Sequence, residues 1–223
     1  MSNSFLHLDR LGTVDEETVF ELDFTNAHQA GPTHKLQGHG IYSDVGKDDY
    51  EFMEDHFEDG LSVHGKSYLY KNIAWSREAL SNQEQFLEID RIIKLLLDSR
   101  LDQNWVIEII FELIRRRSYF NKPSRFQSVF AASSEENLHR WMNLPQVNAE
   151  SGDIYEVCSD SYFESDASLL SVSESTQDLR QWAEYLKMSA DQYWSKEYSD
   201  NPVPEVLLEP DFKVEQYVES ITA

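Results

Sequence analysis

DQNWVIEIIFELIRRRSYFNKPSRFQSVFAAS, residues 102–133, is the stretch that decides the fold class. Asp102 is a helix cap, because its short carboxylate can accept a hydrogen bond from an exposed first-turn N–H. Trp105, Val106, Ile109, Ile110, Leu113 and Ile114 then recur at helical spacing, which predicts an apolar stripe. Arg115, Arg116 and Arg117 follow, cations where the negative end of a helix dipole favours them. Pro123 cannot continue the pattern, since it lacks the N–H that a helix interior needs. RFQSVFAA, residues 125–132, reads as a strand, and Ser133 with Glu136 caps a further helix, ENLHRWM.

The same alternation of periods extends outward. Phe5 to Asp9 alternates, with Phe5, His7 and Asp9 on one side and Leu6 and Leu8 on the other, as a strand does. Glu17 to Phe24 reads as a second strand. Residues 25–49, rich in Gly, Asn, Pro, His and Asp, read as a long loop, and loops of that length are often functional. Ser81 with Glu84 makes a capping box before Phe86, Ile89, Ile92, Ile93, Leu96 and Leu97. That helix is expected to pair antiparallel with the one opened by Asp102. Downstream, Asp153–Cys158 and Ser168–Val172 are strand candidates. Ser175 with Asp178 opens a helix through Leu179, Trp182, Ala183 and Leu186 towards Trp194. NPVP, residues 201–204, must be extended. EVLLEPDFKVEQYVE reads as two short strands around Pro210. Strands at both ends with helices between them give an α+β layout, and 223 residues suit a single domain spanning 1–223.

Composition narrows the function classes. One cysteine, Cys158, excludes an internal disulfide and a thiolate metal site, and no metal is expected. MSNSFLHLDR carries no signal-peptide pattern and no run of 18 apolar residues occurs, so a cytoplasmic protein without membrane partners is expected. The formal charge of −22 repels nucleic acid and anionic membranes at long range and favours a basic partner. The acid is uneven: from Glu150 onward 17 acidic residues face 4 basic ones. The exception is RRRSYFNKPSR, residues 115–125, with five cations and no acid. The chain has no GxGxxG, GxxxxGK[ST], HExxH, GxSxG or paired CxxC, which weighs against Rossmann enzymes, P-loop NTPases, zincins and α/β-hydrolases.

Four features remain. FLHLDR places His7 and Arg10 at the end of the first strand. GLSVHGKSYLY, residues 60–70, combines Gly65, which permits close backbone approach, with His64, Tyr68 and Tyr70. The cationic island offers Arg125 and its neighbours as a pyrophosphate cradle, with Ser124 and Ser128 able to orient ribose or amide groups. NPVPEVLLEP sets Glu205 at the head of a strand, where a fixed carboxylate can stabilise positive charge in a transition state. Each taken singly has a plainer reading: a structural His and surface Arg, a glycine turn with packed tyrosines, a cation-rich helix terminus, and a surface Glu.

In this order, with a YW-containing helix before the last strand, the features resemble a bacterial family of ADP-ribosyltransferase-like proteins. The likeness runs over roughly residues 4–218 and is most specific at PSRFQSVFA and PVPEVLLEP. It implies a split two-sheet α+β fold, with the helical pair inserted after the N-terminal strands, gripping NAD as substrate between the sheets. It implies His7 and Arg10 on the adenosine ribose or phosphate side, Ser128 near the nicotinamide ribose, Tyr68 and Arg125 as further NAD contacts, and Glu205 as the catalytic carboxylate. The pocket aromatic stays open among Tyr42, Tyr68, Tyr70 and Phe130. Arginine-modifying members carry a second glutamate two residues earlier; Val203 stands there, so arginine is not the favoured acceptor. The Ser-Thr-Ser pattern of many toxins is replaced by Gln127, Ser128 and Val129.

The expected activity is therefore transfer of ADP-ribose from NAD to a macromolecular acceptor, protein or nucleic acid, as in bacterial toxins or phage-defence effectors. A variant of this reading keeps the cleft for NAD hydrolysis or for phosphate removal from RNA ends. The alternative from a different class is a non-catalytic acidic binding protein, an antitoxin-like inhibitor or nucleic-acid mimic that takes a basic protein partner.

Overall fold

The computed structural model describes residues 3–10, 12, 14–18, 20, 22, 47–81, 102–145, 147, 149, 151–171 and 179–222. The described residues form an α+β fold with six helices and two small antiparallel sheets. The strands are β1 (Asn3–Asp9), β2 (Val129–Ala131), β3 (Ser151–Ser159), β4 (Tyr162–Asp166), β5 (Pro204–Leu208) and β6 (Lys213–Thr222). The helices are α1 (Lys47–His56), α2 (Val63–Leu69), α3 (Ile73–Ser81), α4 (Gln103–Ser118), α5 (Glu135–Met142) and α6 (Leu179–Ser195). Among the described residues no helix is long and apolar enough to cross a membrane.

Helix α4 is the axis of the main core. All ten residues from Trp105 to Ile114 are buried, so the apolar stripe read from spacing widens to the whole circumference. Asp102 caps it, accepting from the Asn104 N–H at 3.0 Å. Helix α6 packs along it, with the Trp194 indole donating to the Phe111 carbonyl at 2.8 Å and the Tyr193 and Phe111 rings 5.4 Å apart. Two of the ten buried residues are glutamates, Glu108 and Glu112, four apart and therefore on one face. Each needs a counter-charge in that setting.

The sheets run β1-β3-β6 and β2-β5-β4. They meet where Leu6 and Ala132 exchange two backbone hydrogen bonds of 2.8 Å. β5 and β6, adjacent in sequence, belong to different sheets, so Pro210 marks a crossing between layers rather than a hairpin. Phe5, Tyr155, Val206, Leu208 and Phe212 form one satellite core on this junction; Leu8, Ala132, Leu138 and Ile154 form another. β1 thus buries side chains on both faces.

Several elements differ from expectation. Residues 125–132 are not one strand: Ser124 accepts from the Phe126 N–H at 3.3 Å and closes a 3-10 turn over Arg125–Gln127, leaving only β2 extended. Ser134, one residue later than expected, caps α5 by accepting from the Asn137 N–H at 3.2 Å. Ser168 lies in a 3-10 turn, Ala167–Leu170, because the Asp166 carboxylate captures the Ser168 N–H at 2.9 Å. Ser81 is the last described residue of α3 and is helical, while its expected capping partner Glu84 lies outside the described residues. Glu17, Thr18, Phe20 and Leu22 are not in a strand; Thr18 and Asp15 close a turn through side-chain and backbone hydrogen bonds. Of the loop read over 25–49, residues 47–49 instead begin α1, and the rest lies outside the described residues, as do the helix expected at 86–97, Tyr42, Val172 and the cap at Ser175 and Asp178.

Candidate functional site

A cavity of about 620 Å³ opens where the two sheets meet α2, α4 and α5. The six residues to which the resemblance gives NAD or catalytic roles line it, His7, Arg10, Tyr68, Arg125, Ser128 and Glu205, and so do His64 and Phe130, whereas Ser124, Tyr70 and the other cations of the island do not. The six come from four separate segments. β1 and its end carry His7 and Arg10, α2 carries Tyr68, the 3-10 turn and the residue after it carry Arg125 and Ser128, and β5 carries Glu205.

Glu205 is central because β5 is the middle strand of its sheet, paired through Val206 to Ala131 and directly opposite Ser165 of β4. Its carboxylate is 1% exposed. Oε1 takes hydrogen bonds from Arg125 Nη1 and, at 2.6 Å, from the Tyr193 hydroxyl. Oε2 receives the Trp141 indole N–H at 3.3 Å.

Arg125 is as deeply placed, at 4% exposed. Its Nε and Nη2 form a bidentate pair with Glu108 at 2.8 and 2.9 Å, and Nη1 also donates to the Tyr193 hydroxyl at 2.7 Å. The guanidinium lies over the Phe130 ring at 4.8 Å and the Tyr193 ring at 5.3 Å. Burial pulls the Arg125 guanidinium down, but Glu108 and Glu205 outweigh it and hold it charged. Burial pushes the Glu108 carboxyl up, and Arg125 and His64 reverse this, holding it well below the usual carboxylate range. Two buried carboxylates, Glu108 and Glu205, thus share one guanidinium.

The remaining walls are aromatic and polar. His64 Nε2 stands 3.3 Å from Glu108 Oε1 without the alignment of a hydrogen bond. Its ring packs on Tyr68 at 4.6 Å and Phe130 at 4.7 Å. Burial, with Glu108 nearby, pushes the Tyr68 phenol up, so it remains a neutral donor. His7 Nδ1 bonds the Phe130 carbonyl at 2.8 Å, and burial pulls its imidazole below the ordinary value. A carbonyl only accepts, so Nδ1 carries the proton and Nε2 is left as an acceptor. Ser128 donates to the Ser124 carbonyl at 2.7 Å and so offers its oxygen as an acceptor. Arg10 is exposed at the rim and donates to the Val147 carbonyl at 3.0 Å.

The cationic island does not form the cradle read from the sequence. Arg115 grips Glu112 through two bonds of 2.9 and 2.8 Å, and Arg116 holds the same carboxylate at 2.7 Å. Ser124 adds a third donor to Glu112 at 2.9 Å. Three of the five cations therefore neutralise buried glutamates of α4. Sequence reasoning passed over Glu108, Trp141 and Tyr193. The signal for Glu108 was present: a carboxylate inside the apolar run WVIEIIFELI, upstream of an acid-free cluster of cations. Gly65, by contrast, is used as expected, since a Cβ there would stand 2.1 Å from the Phe126 carbonyl oxygen. That packing holds α2 against the turn that carries Arg125.

The chain belongs to the family described as protein of unknown function (DUF2441), whose model matches residues 22–220. The match includes Tyr68, Arg125, Ser128 and Glu205 and begins after His7 and Arg10. No curated protein matches the chain.

Proposed function

We propose that this member of the family is an NAD-dependent ADP-ribosyltransferase acting on a macromolecular acceptor, protein or nucleic acid, with Glu205 as its catalytic carboxylate. The observation that carries the reading is convergence. Six residues chosen for NAD chemistry, spread from position 7 to position 205, line one cavity. Its volume lies within the roughly 300–1,000 Å³ of small-molecule sites.

The chemistry suits the arrangement. In NAD the bond from the ribose C1′ to the nicotinamide nitrogen breaks, and the leaving group departs neutral. Positive charge develops at C1′ and the ring oxygen until an acceptor nucleophile bonds to C1′ and gives up its proton. Two buried carboxylates held on one guanidinium supply fixed negative charge that stabilises this positive charge without reorganising, which is where such sites gain most. In this reading Glu205 Oε2, which carries only the longer Trp141 contact among the described bonds, accepts a ribose hydroxyl. Ser128 and the His7 imidazole offer acceptors for other hydroxyls, Tyr68 and Phe130 offer flat apolar faces, and Arg10 at the rim matches a phosphate. NAD chemistry of this kind fits a cytoplasmic toxin or phage-defence effector.

The test is nicotinamide release from NAD, and transfer of labelled ADP-ribose in a cell lysate, by the folded protein. Glu205→Gln should lower the rate by about 10²–10³ while NAD affinity largely persists. A folded protein that neither releases nicotinamide nor transfers label refutes the function, and an unimpaired Glu205→Gln refutes the assignment. The second reading, an acidic binding protein, draws on the 17-to-4 excess of acid after position 150. It predicts salt-sensitive capture of a basic partner and indifference to Glu205→Gln, which changes a charge of −22 by only one unit.

A further inference from the structure

We infer that the buried Glu108–Arg125 pair, with Tyr193, positions Glu205 for its chemistry, and that Arg125 is a positioning residue rather than a contact for the anionic part of a ligand. The inference rests on the proposed function for its catalytic consequence, though not for its geometry.

Donor accounting carries it. A guanidinium has five N–H groups. Nε and Nη2 are engaged side-on by Glu108, and Nη1 serves both the Tyr193 hydroxyl and Glu205 Oε1. The Phe130 and Tyr193 rings also pack against the guanidinium, with centroids 4.8 and 5.3 Å from its carbon. A group so committed has little left for a pyrophosphate, and releasing Glu108 or Glu205 would strand a carboxylate in the interior.

The same bonds fix Glu205 asymmetrically. Oε1 has two strong donors, whereas Oε2 has only the longer contact from the Trp141 indole among the described bonds. Orientation of one carboxylate oxygen by the protein leaves the other for a ligand. Glu108 has a second effect. Paired with Glu205 alone, Arg125 would cancel the charge that the reaction needs. Because Glu108 also engages the guanidinium side-on, that one cation is shared between two carboxylates rather than spent on Glu205. Tyr193 bridges the two, accepting from Arg125 at 2.7 Å and donating to Glu205 at 2.6 Å.

The experiment compares wild type, Arg125→Lys, Tyr193→Phe and Glu205→Gln in the full chain. Lysine keeps the charge but cannot bond Glu108 side-on and Glu205 end-on together. The expected result for Arg125→Lys is a loss of about 100-fold in kcat for nicotinamide release, the scale of a small misplacement at a reacting centre. ADP-ribose affinity, read by calorimetry, should stay within about twofold if no anion contact has been removed. Tyr193→Phe, which removes one hydroxyl and keeps the ring, should show the same split more weakly. Melting temperatures of Arg125→Lys, Glu205→Gln and the double variant form a cycle independent of activity. The double variant should fall by clearly less than the two single shifts combined. Tyr193→Phe replaces Arg125→Lys in the cycle if the lysine variant does not fold. Additive shifts, or lost ADP-ribose affinity with unchanged kcat, would overturn the inference. A wild type that releases no nicotinamide would defeat the proposed function, and the cycle would still decide whether Arg125 positions Glu205.

Discussion

Gly65→Ala tests whether the contact between α2 and the Arg125 turn governs the site. An added Cβ would lie 2.1 Å from the Phe126 carbonyl oxygen and 2.9 Å from its carbon. Ordinary contact begins at 3.4 Å, so the two backbones must part by about 1.3 Å. That separation works against the hydrogen bonds from the Ser62 N–H and hydroxyl to the same carbonyl, at 2.9 and 3.0 Å. Each is worth about 1 kcal/mol net, and overpacking against a rigid neighbour costs about 1–3 kcal/mol. Helix propensity acts the other way, by at most about 1 kcal/mol in favour of alanine. The steric term wins, and the net loss is about 2–4 kcal/mol, a large part of the roughly 5–15 kcal/mol that stabilises a domain. Urea denaturation should show a lower midpoint with an unchanged slope, and a thermal melt should drop by roughly 5–15 °C. Because the turn carries Arg125, any surviving activity should fall as well. A Gly65→Ala protein as stable as wild type would refute the close approach.

Two further substitutions address charges that the fold has buried. Glu112→Gln should destabilise by about 3–5 kcal/mol in denaturant, because Arg115 and Arg116 lose their shared counter-charge in the interior; a change near zero would show the network to be dispensable. Asp166→Asn should destabilise by about 1–3 kcal/mol. Asp166 accepts backbone N–H groups from Ser168, Ser199 and Val203, and an amide nitrogen in place of Oδ2 would meet the Ser199 N–H donor to donor. Burial pushes the Asp166 carboxyl up, but these hydrogen bonds outweigh it and hold it below its ordinary value. A lowered folded-state value means the contribution is present above the unfolded aspartate value of about 3.9 and is lost as pH falls towards the folded one. Stability measured from pH 7 down to 2 should therefore decline less steeply at the acid end in Asp166→Asn, and an identical slope would count against the assignment.

Much of the scaffold was legible in advance, and for local reasons. The helix opened by Asp102 carries its own cap and its own period. The strand at Phe5–Asp9 alternates visibly, and Pro202 and Pro204 forbid a helix before Glu205. Errors fell where one side chain redirected the backbone. Ser124 turned a predicted strand start into a 3-10 turn, and Asp166 did the same to the strand expected at Ser168. The strand at Tyr162–Asp166 was missed beside it. Of the site, the residue types and their order could be read, but the partners could not. The cations at 115–125 read as an open anion cradle because burial of Glu108 and Glu112 was not read, although Arg115 and Arg116 stand three and four residues after Glu112, within reach on one helix face.

What the sequence by itself determined is the inventory and the punctuation: an α+β chain, a capped amphipathic helix after Asp102, a glycine reserved for close approach, and a carboxylate at the head of a late strand. Only the tertiary structure decided which charges meet. Arg125 finds Glu108 17 positions away and Glu205 80 positions away, and Tyr193 closes the group from α6. Periodicity and capping act over a few residues. The pairing of a buried carboxylate acts through low-dielectric contact between whole elements, and that contact exists only once helix and sheet have packed.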